Sequence, residues 1–323
     1  MKSGIHTKHI SSKDIILQHL IKCEAFMSSI KFRKKFYELN WQIIKLVLVA
    51  APSFLKKLFA NPSGEKIVLA LRNIPMLYRI AIACMPRHTF YSKDSFRTVN
   101  RNGINYQLDL SDWVEWNIYF HNDVEPRKKL YSMVKPGKTV IDIGANIGET
   151  TLNMAKLIGS TGCVISFEPS TNTYKKCLRN IALNDTLSNR INLHGFALGE
   201  KNESAFLQIA EQTNRGMNFI STSGEKIEIK KLDDVLVDEK KVKIDLIKMD
   251  VEGYELKVLK GAERLINQHH PKLFIELDND LLNKQGDSSF ALLEWLTAHH
   301  YQVTEPNIPE AELLHGHFDI IAE

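Results

Sequence analysis

Asp250, Glu252 and Glu276 each follow a hydrophobic run that reads as a strand, where the run gives way to a loop. Asp250 and Glu252 stand in KMDVEGYE (248–255), and Glu276 in FIELD (274–278). Core packing does not explain three carboxylates on one rim, because a buried carboxylate is costly without a partner. Placed on a ligand, such groups can take a proton from a hydroxyl. Their oxygens also suit magnesium or manganese, so a divalent metal stays an option to which no ligands are assigned. His121 and His194 are alternative bases, although a lone histidine near a strand is more often a hydrogen-bonded structural group. His269 and His270 precede Pro271 at the entry to a strand, the wrong end for chemistry, and read as structural. Trp113 and Trp116 either line an acceptor cleft or, more commonly for such residues, pack against the core.

The strongest local signal is DIGANIG, Asp142 to Gly148, between a buried run and a helical one. Gly144 and Gly148 carry no Cβ, so the backbone there can bend sharply and approach a ligand. Asn146 occupies a position where another glycine is expected, and asparagine tolerates the left-handed region best. Glu168 lies 24 residues after Gly144, close to the spacing at which an acid reaches a ribose diol. A carboxylate only accepts hydrogen bonds, so it suits a diol and repels a pyrophosphate. The loop also lacks the full Gly-x-Gly-x-x-Gly of a dinucleotide site. Together these favour a nucleoside without phosphates over NAD.

Alternating strands and helices position these groups. Strands are expected at 139–143, 163–167, 191–198, 244–249 and 273–277, with extended runs at 204–209 and 226–231 and strand-like ends at 301–304 and 318–321. Helices are expected at 147–158, 171–183, 254–266 and 290–300. Repeated β-α-β units force a mostly parallel sheet with helices on both faces. Upstream, Asn102-Gly103 between two extended runs predicts a hairpin. Residues 1–92 read as a helical, basic N-terminal region, with a break at Asn61-Pro62-Ser63-Gly64. Residues 93–323 read as the catalytic domain, its ligand-binding core at about 136–280.

Charge divides the chain in the same place. Residues 1–100 hold 17 Lys and Arg against 5 Asp and Glu, and the remainder 25 against 33. The basic front, with its cluster Lys31–Lys35 and the mixed stretch Ile43–Leu58, reads as a cap on the acidic domain, the alternative being peripheral contact with an anionic membrane surface. Its basic residues are not interleaved with stacking aromatics, so no nucleic acid partner is expected. The four cysteines form no Cys-x-x-Cys pair, which argues against a zinc site or disulfide framework. No secretory signal is evident, and Ile43–Ala60 is too broken by Lys45, Pro52, Lys56 and Lys57 for a membrane span. A cytoplasmic location is expected.

The run from Val140 to Asp278 resembles the FkbM family of methyltransferases. The resemblance is carried by VIDIGANIG (140–148), FEP (167–169), Asn180 with Asn184, KLDDVL (231–236) and DLIKMDVEGYEL (245–256). Lys260-Gly261-Ala262 and Pro271 to Glu276 complete it. It implies a doubly wound, seven-stranded α/β fold of the class I, Rossmann-like methyltransferase type, using S-adenosylmethionine. It further implies that Asp142, Gly144, Asn146 and Gly148 surround the methionine part of that cofactor, that Glu168 holds its ribose, and that Phe196 and Ala197 flank its adenine. Asp250 and Glu252 would face the transferred methyl, with Glu276 an outside candidate for the base. The family's upstream Tyr-Glu is Val124-Glu125 here, which weakens any part for Glu125. The expected reaction is O-methylation of a hydroxyl on a small molecule, sugar or glycan. Alternatives are a non-catalytic scaffold retaining the cofactor pocket and an NAD-linked oxidoreductase.

Overall fold

The computed structural model describes residues 60–71, 74, 77–78, 81–82, 85–120, 127–209, 218–236, 243–306 and 309–323. His121, Glu125, Cys23, Cys84, Lys31–Lys35 and Ile43–Leu58 lie outside them. The chain divides into two compact units, Met1–Tyr91 and Ser92–Glu323. In the first, a helix runs over Pro62–Ala70. The expected break at Asn61 to Gly64 is this helix's start: the Asn61 side chain accepts from the N–H of Ser63 and Gly64, and Pro62 fits the first turn. Among the described residues, no helix is long and apolar enough to cross a membrane.

The second unit opens with a hairpin, β1 (Phe96–Arg101) and β2 (Ile104–Asp109), turning through Asn102 and Gly103, both at positive φ. Ile104, Tyr106 and Leu108 alternate inward from β2. Two asparagines dock this hairpin on the core. Asn180 accepts from the N–H of Gln107 and donates to the carbonyl of Ile147, while Asn184 accepts from the N–H of Asn105 and donates to its carbonyl. Helices α1 (Trp113–Phe120) and α2 (Lys128–Met133) follow.

The main sheet has seven strands. In chain order they are β3 (Thr139–Ile143), β4 (Cys163–Phe167), β5 (Ile191–His194), β10 (Ile244–Met249), β11 (Lys272–Asp278), β12 (Val303–Glu305) and β13 (His317–Ala322). In space they run β12-β13-β11-β10-β3-β4-β5. The five from β11 to β5 are parallel, and β13 runs against both its neighbours. All five residues of β3 are buried, as a parallel strand covered on both faces requires. Chain order reverses between β3 and β10, so a crevice opens beyond their carboxyl ends. A smaller sheet, β6 (Ala197–Leu198), β7 (Glu203–Gln208), β8 (Phe219–Ser221) and β9 (Glu225–Lys230), stands beside that crevice.

Helices α3 (Glu149–Leu157), α4 (Thr171–Ala182), α5 (Glu255–Gly261), α6 (Glu263–His269), α7 (Asn279–Lys284) and α8 (Ser289–Ala298) complete the fold. Two expected elements are divided, and three helices were not expected. The strand expected over 191–198 parts at Gly195-Phe196, β5 joining the main sheet and β6 the small one. The helix expected over 254–266 breaks at Ala262, where Asp233 accepts from the N–H of Arg264 and Leu265 and so starts α6 afresh. Helices α1, α2 and α7 were not expected, although Asp112 and Asp278 cap α1 and α7 in the usual way. The strand and helix faces between the layers share one core of aliphatic side chains, centred on β3, β10 and β11.

A close backbone contact seats α5 against the small sheet. A Cβ on Gly261 would lie 1.9 Å from the carbonyl oxygen of Gly199. Backbone cannot yield as a flexible side chain does, so Gly261→Ala is expected to cost about 3 kcal/mol or more in urea unfolding, the upper end of overpacking costs. The exposed neighbour change Lys260→Ala should cost under about 0.5 kcal/mol. Equal stability of the two variants would refute the contact.

Candidate functional site

The crevice holds a cavity of about 590 Å³, within the roughly 300–1,000 Å³ usual for small-molecule sites. Its floor is two loops pressed together. Gly144, at φ +83°, lies so near the second loop that a Cβ would sit 2.0 Å from the carbonyl oxygen of Asp250. The N–H groups of Gly144 and Ala145 both donate to the carbonyl of Phe167, tying the first loop to the end of β4. Asn146 has φ +50°, the left-handed conformation expected of it. Gly148 also has positive φ, but it backs onto Cys177 and does not line the cavity.

Glu168 lines the cavity from the end of β4. Its two carboxylate oxygens accept from the N–H of Asn146 (3.0 Å) and of Ser170 (3.0 Å). Burial pushes its pKa up to about 7, against the lowering effect of those two N–H groups. Phe196 and Ala197 form an apolar wall beside it. Asp142 is placed differently from expectation. It is fully buried beneath the loop, accepts from the Thr151 hydroxyl at 2.6 Å and does not line the cavity.

The partner of Asp142 is Lys248, its neighbour across β3 and β10. The ammonium is buried, 3.3 Å from Asp142 and 3.6 Å from Asp250, and donates to the carbonyl of Gly144 at 2.8 Å. Burial opposes its charge, but Asp142 and Asp250 outweigh burial and hold its pKa above the ordinary value. Sequence reasoning read Lys248 only as part of a motif. Its signal was a lysine inside an otherwise apolar strand.

Asp250, Glu252 and Glu276 come together, with carboxylate oxygens within 4.8 Å of one another. Their environments separate them. Burial works to raise the pKa of Asp250, yet Lys248, Arg127 and a hydrogen bond from Glu276 together hold it below the usual range. Glu276 is pushed far up by burial and then by Asp250 and Glu252, so it keeps its proton. Glu252 rises to about 8 through burial and the charges of Asp250, Glu255 and Asp278. A divalent cation would find its ligands in these three oxygens. With no cation bound, the neutral Glu276 and the Lys248-paired Asp250 make an acid beside a base.

Around this group, Glu255 accepts from the N–H of Val251 and Gly253 and so fixes the loop. Arg127 pairs with Glu149 in the wall, where Tyr131 also donates to Glu149. Trp113 lines the mouth and is half exposed, whereas Trp116 packs on Phe120. The α1 helix that presents Trp113 is anchored by a buried ion pair, Glu115 with Lys176. Of the candidate histidines, His194 stacks on Phe167 and lies outside the cavity, and His269 accepts from the N–H of Ile244 at the far end of the sheet. His317, unremarked in the sequence, does line it.

Residues 142–303 match the model of the methyltransferase FkbM domain. The chain is 30% identical over 159 residues to methyltransferase sdnD of Sordaria araneosa, covering 38% of this chain and 60% of that protein. It is 26% identical over 175 residues to methyltransferase 1 of Beauveria bassiana, covering 47% and 68%. The chain thus spans less than two thirds of the length of the first of these relatives. Among solved structures, a methyltransferase FkbM from Methylobacillus flagellatus aligns at 22% identity over 64% of this chain and 54% of its own, with a TM-score of 0.38. Aeropyrum pernix fibrillarin with natively bound S-adenosylmethionine aligns at 13% identity over 72% and 84%, with a TM-score of 0.39.

The raised carboxyl groups set a pH dependence. Glu252 rises from 4.5 to about 8 on folding, so the folded state binds its proton more tightly than the unfolded state. The stability it contributes is therefore complete below pH 4.5 and is lost as pH rises through 8. Glu168 and Glu255, each at about 7, act in the same direction. The thermal midpoint of the ligand-free protein is expected to fall across this window. Glu252→Gln should be the more stable protein at pH 8, with a shallower fall. A flat wild-type profile would contradict this assignment.

Proposed function

Because the chain belongs to the FkbM methyltransferase family, we propose that this cavity binds S-adenosylmethionine and transfers its methyl group to a hydroxyl of a small molecule, sugar or glycan. The observation that carries the reading is the pairing, in one cavity, of a backbone-held acid at the end of β4 with an acid–base pair at the end of β10 and β11. The residues present fit the cofactor. Each Glu168 oxygen already accepts one N–H and has room for a second hydrogen bond, as two ribose hydroxyls require. Phe196 and Ala197 offer the apolar wall for a base. Among the described residues, seven carboxyl groups line the cavity against three lysine and arginine side chains, and even with Glu276 and Glu252 protonated the acids outnumber the bases, a balance that favours a sulfonium cation over a pyrophosphate.

When bound, the cofactor supplies an electrophilic methyl group. The protein's part is orientation and the proton. Holding two reactants in line supplies as much as about 7–11 kcal/mol of the barrier. An alcohol is a weak nucleophile while protonated, so a base must take its hydrogen bond. Asp250 is suited to that work because Lys248 and Arg127 keep it ionised, while neutral Glu276 stands beside it as a donor. Trp113 at the mouth offers a flat face to a ring of the acceptor.

Calorimetry should show binding of S-adenosylmethionine in preference to NAD, weakened by Glu168→Ala. Asp250→Asn should retain binding and lower transfer by about 10²–10⁴-fold, the usual share of a positioned base. Preference for NAD would reverse the assignment of the cavity. Binding without transfer to any hydroxyl acceptor would favour the scaffold reading.

A further inference from the structure

The amino-acid end of the cofactor still lacks a partner. S-adenosylmethionine carries there its only anionic group, a carboxylate, which an acid-lined cavity repels. Among the described residues, three lysine and arginine side chains line the cavity: Arg127, Lys248 and Lys284. Lys248 is 4% exposed and already committed, between Asp142 and Asp250 and to the carbonyl of Gly144. Lys284 ends α7, together with Asp280 of the same helix, within reach of the Glu252 charge. Arg127 remains.

Arg127 stands at the N-cap position of α2, and its Nη1 donates to Glu149 Oε2. The other oxygen of Glu149 accepts from Tyr131 of α2 (3.3 Å) and from Asn153 of α3 (3.1 Å), so both helices pin this carboxylate. A pinned carboxylate fixes the guanidinium that pairs with it. Arg127 donates to no other acceptor among the described residues, and its side chain is 38% exposed. A guanidinium is a planar fork, and its remaining donors suit a carboxylate, which it grips by parallel bonds. Glu149 and Thr150, the first residues of α3, line the same cavity, and no side chain caps that helix. Its first N–H groups add the positive end of a helix dipole.

Resting on the S-adenosylmethionine reading, we propose that Arg127, held by Glu149, binds the α-carboxylate of the cofactor. The order of the sheet agrees. Phe196 follows β5, Glu168 follows β4, and the loop leading to Glu149 follows β3, three adjacent strands. A nucleoside with its base on the first and its ribose on the second points its 5′ substituent at the third. The cavity then sorts the ligand by charge, its carboxylate going to Arg127 and its sulfonium to the acids beyond β3. Neither Arg127 nor Glu149 forms or breaks a bond with the ligand, and both act by position.

Decarboxylated S-adenosylmethionine isolates the contact, because it keeps the sulfonium and the ammonium and lacks only the carboxylate. Calorimetry on the full chain compares it with S-adenosylmethionine and with 5′-methylthioadenosine, which has no amino-acid end. Arg127→Gln should weaken S-adenosylmethionine about 10–100-fold, the usual loss for hydrogen bonds to a charged group. The decarboxylated ligand should bind that variant at least as well as the wild type. Methylthioadenosine should bind the two within about two-fold of each other, which shows an intact pocket. Arg127→Lys keeps the charge without the fork and should recover part of the affinity. Glu168→Ala should weaken all three ligands alike. Binding is the readout because Arg127 also helps to hold Asp250 ionised. Equal losses for all three ligands in Arg127→Gln, or no loss for S-adenosylmethionine, would overturn the contact. Failure of the wild type to bind any of the three would instead overturn the cofactor reading beneath it.

Discussion

The site depends on one buried ammonium. Lys248 sits in the fourth of the parallel strands, between Asp142 of β3 and Phe274 of β11, and its Nζ reaches both loops that form the cavity floor. Removing either member of a buried pair leaves an uncompensated charge, at a typical cost of about 3–5 kcal/mol. The pair therefore locks β3 to β10 in one register, Lys248 beside Asp142. That register brings Gly144 against the Asp250 carbonyl, at a spacing only glycine permits. The distance between the glycine loop and the acid-bearing loop is thus set from below, by the Lys248–Asp142 contact.

The same cation makes three carboxylates chemically unequal. Asp250 lies beside Lys248 and stays ionised, whereas Glu276 and Glu252 stand farther from it and feel mainly burial and one another. A base and an acid arise from identical side-chain chemistry because positive charge enters the cluster from one side. His317 stands on the opposite side, brought there by the one main-sheet strand that runs against both its neighbours. The sheet's mixed direction thereby places an imidazole on a rim that parallel strands alone furnish with acids.

What could be read in the sequence was local. The alternation of elements gave the sheet and its helices, and turn chemistry gave the hairpin at Asn102-Gly103. Gly144, Asn146, Glu168, Phe196, Ala197, Asp250, Glu252 and Glu276 all line one cavity. Long-range pairing was the part that stayed hidden. The family resemblance makes Asp142 a ligand residue, yet in space it faces down onto Lys248, 106 residues away. His317 follows Asp278 by 39 residues and meets it only through the antiparallel register of β13. Asn180 and Asn184 read as family marks, and their work is to satisfy the backbone of a strand more than 70 residues earlier. The break at Ala262 escapes notice because the apolar face runs on through it, and the competing cap comes from Asp233 in another element.

Glu252 shows what the site costs the fold. It is a non-glycine residue at φ +55°, where a side chain meets its own backbone, and it stands among Asp250, Glu255 and Asp278. Strain of that kind is worth about 1–3 kcal/mol and persists where surrounding structure overdetermines it. Here the determinants are visible. Glu255 holds the N–H groups on both sides of Glu252, and Gly253 turns against the carbonyl of Leu281, where a Cβ would meet oxygen at 2.3 Å. The site is consequently a store of like charge, relieved in part by protonation. A cationic ligand would relieve it in another way, by stabilising the ionised forms of the same groups. Protonation and cation binding therefore compete for one set of carboxyl groups, and a sulfonium that enters this cavity releases protons as it binds. The features that make the ligand-free fold less stable at alkaline pH are those that would draw a positively charged donor to the rim.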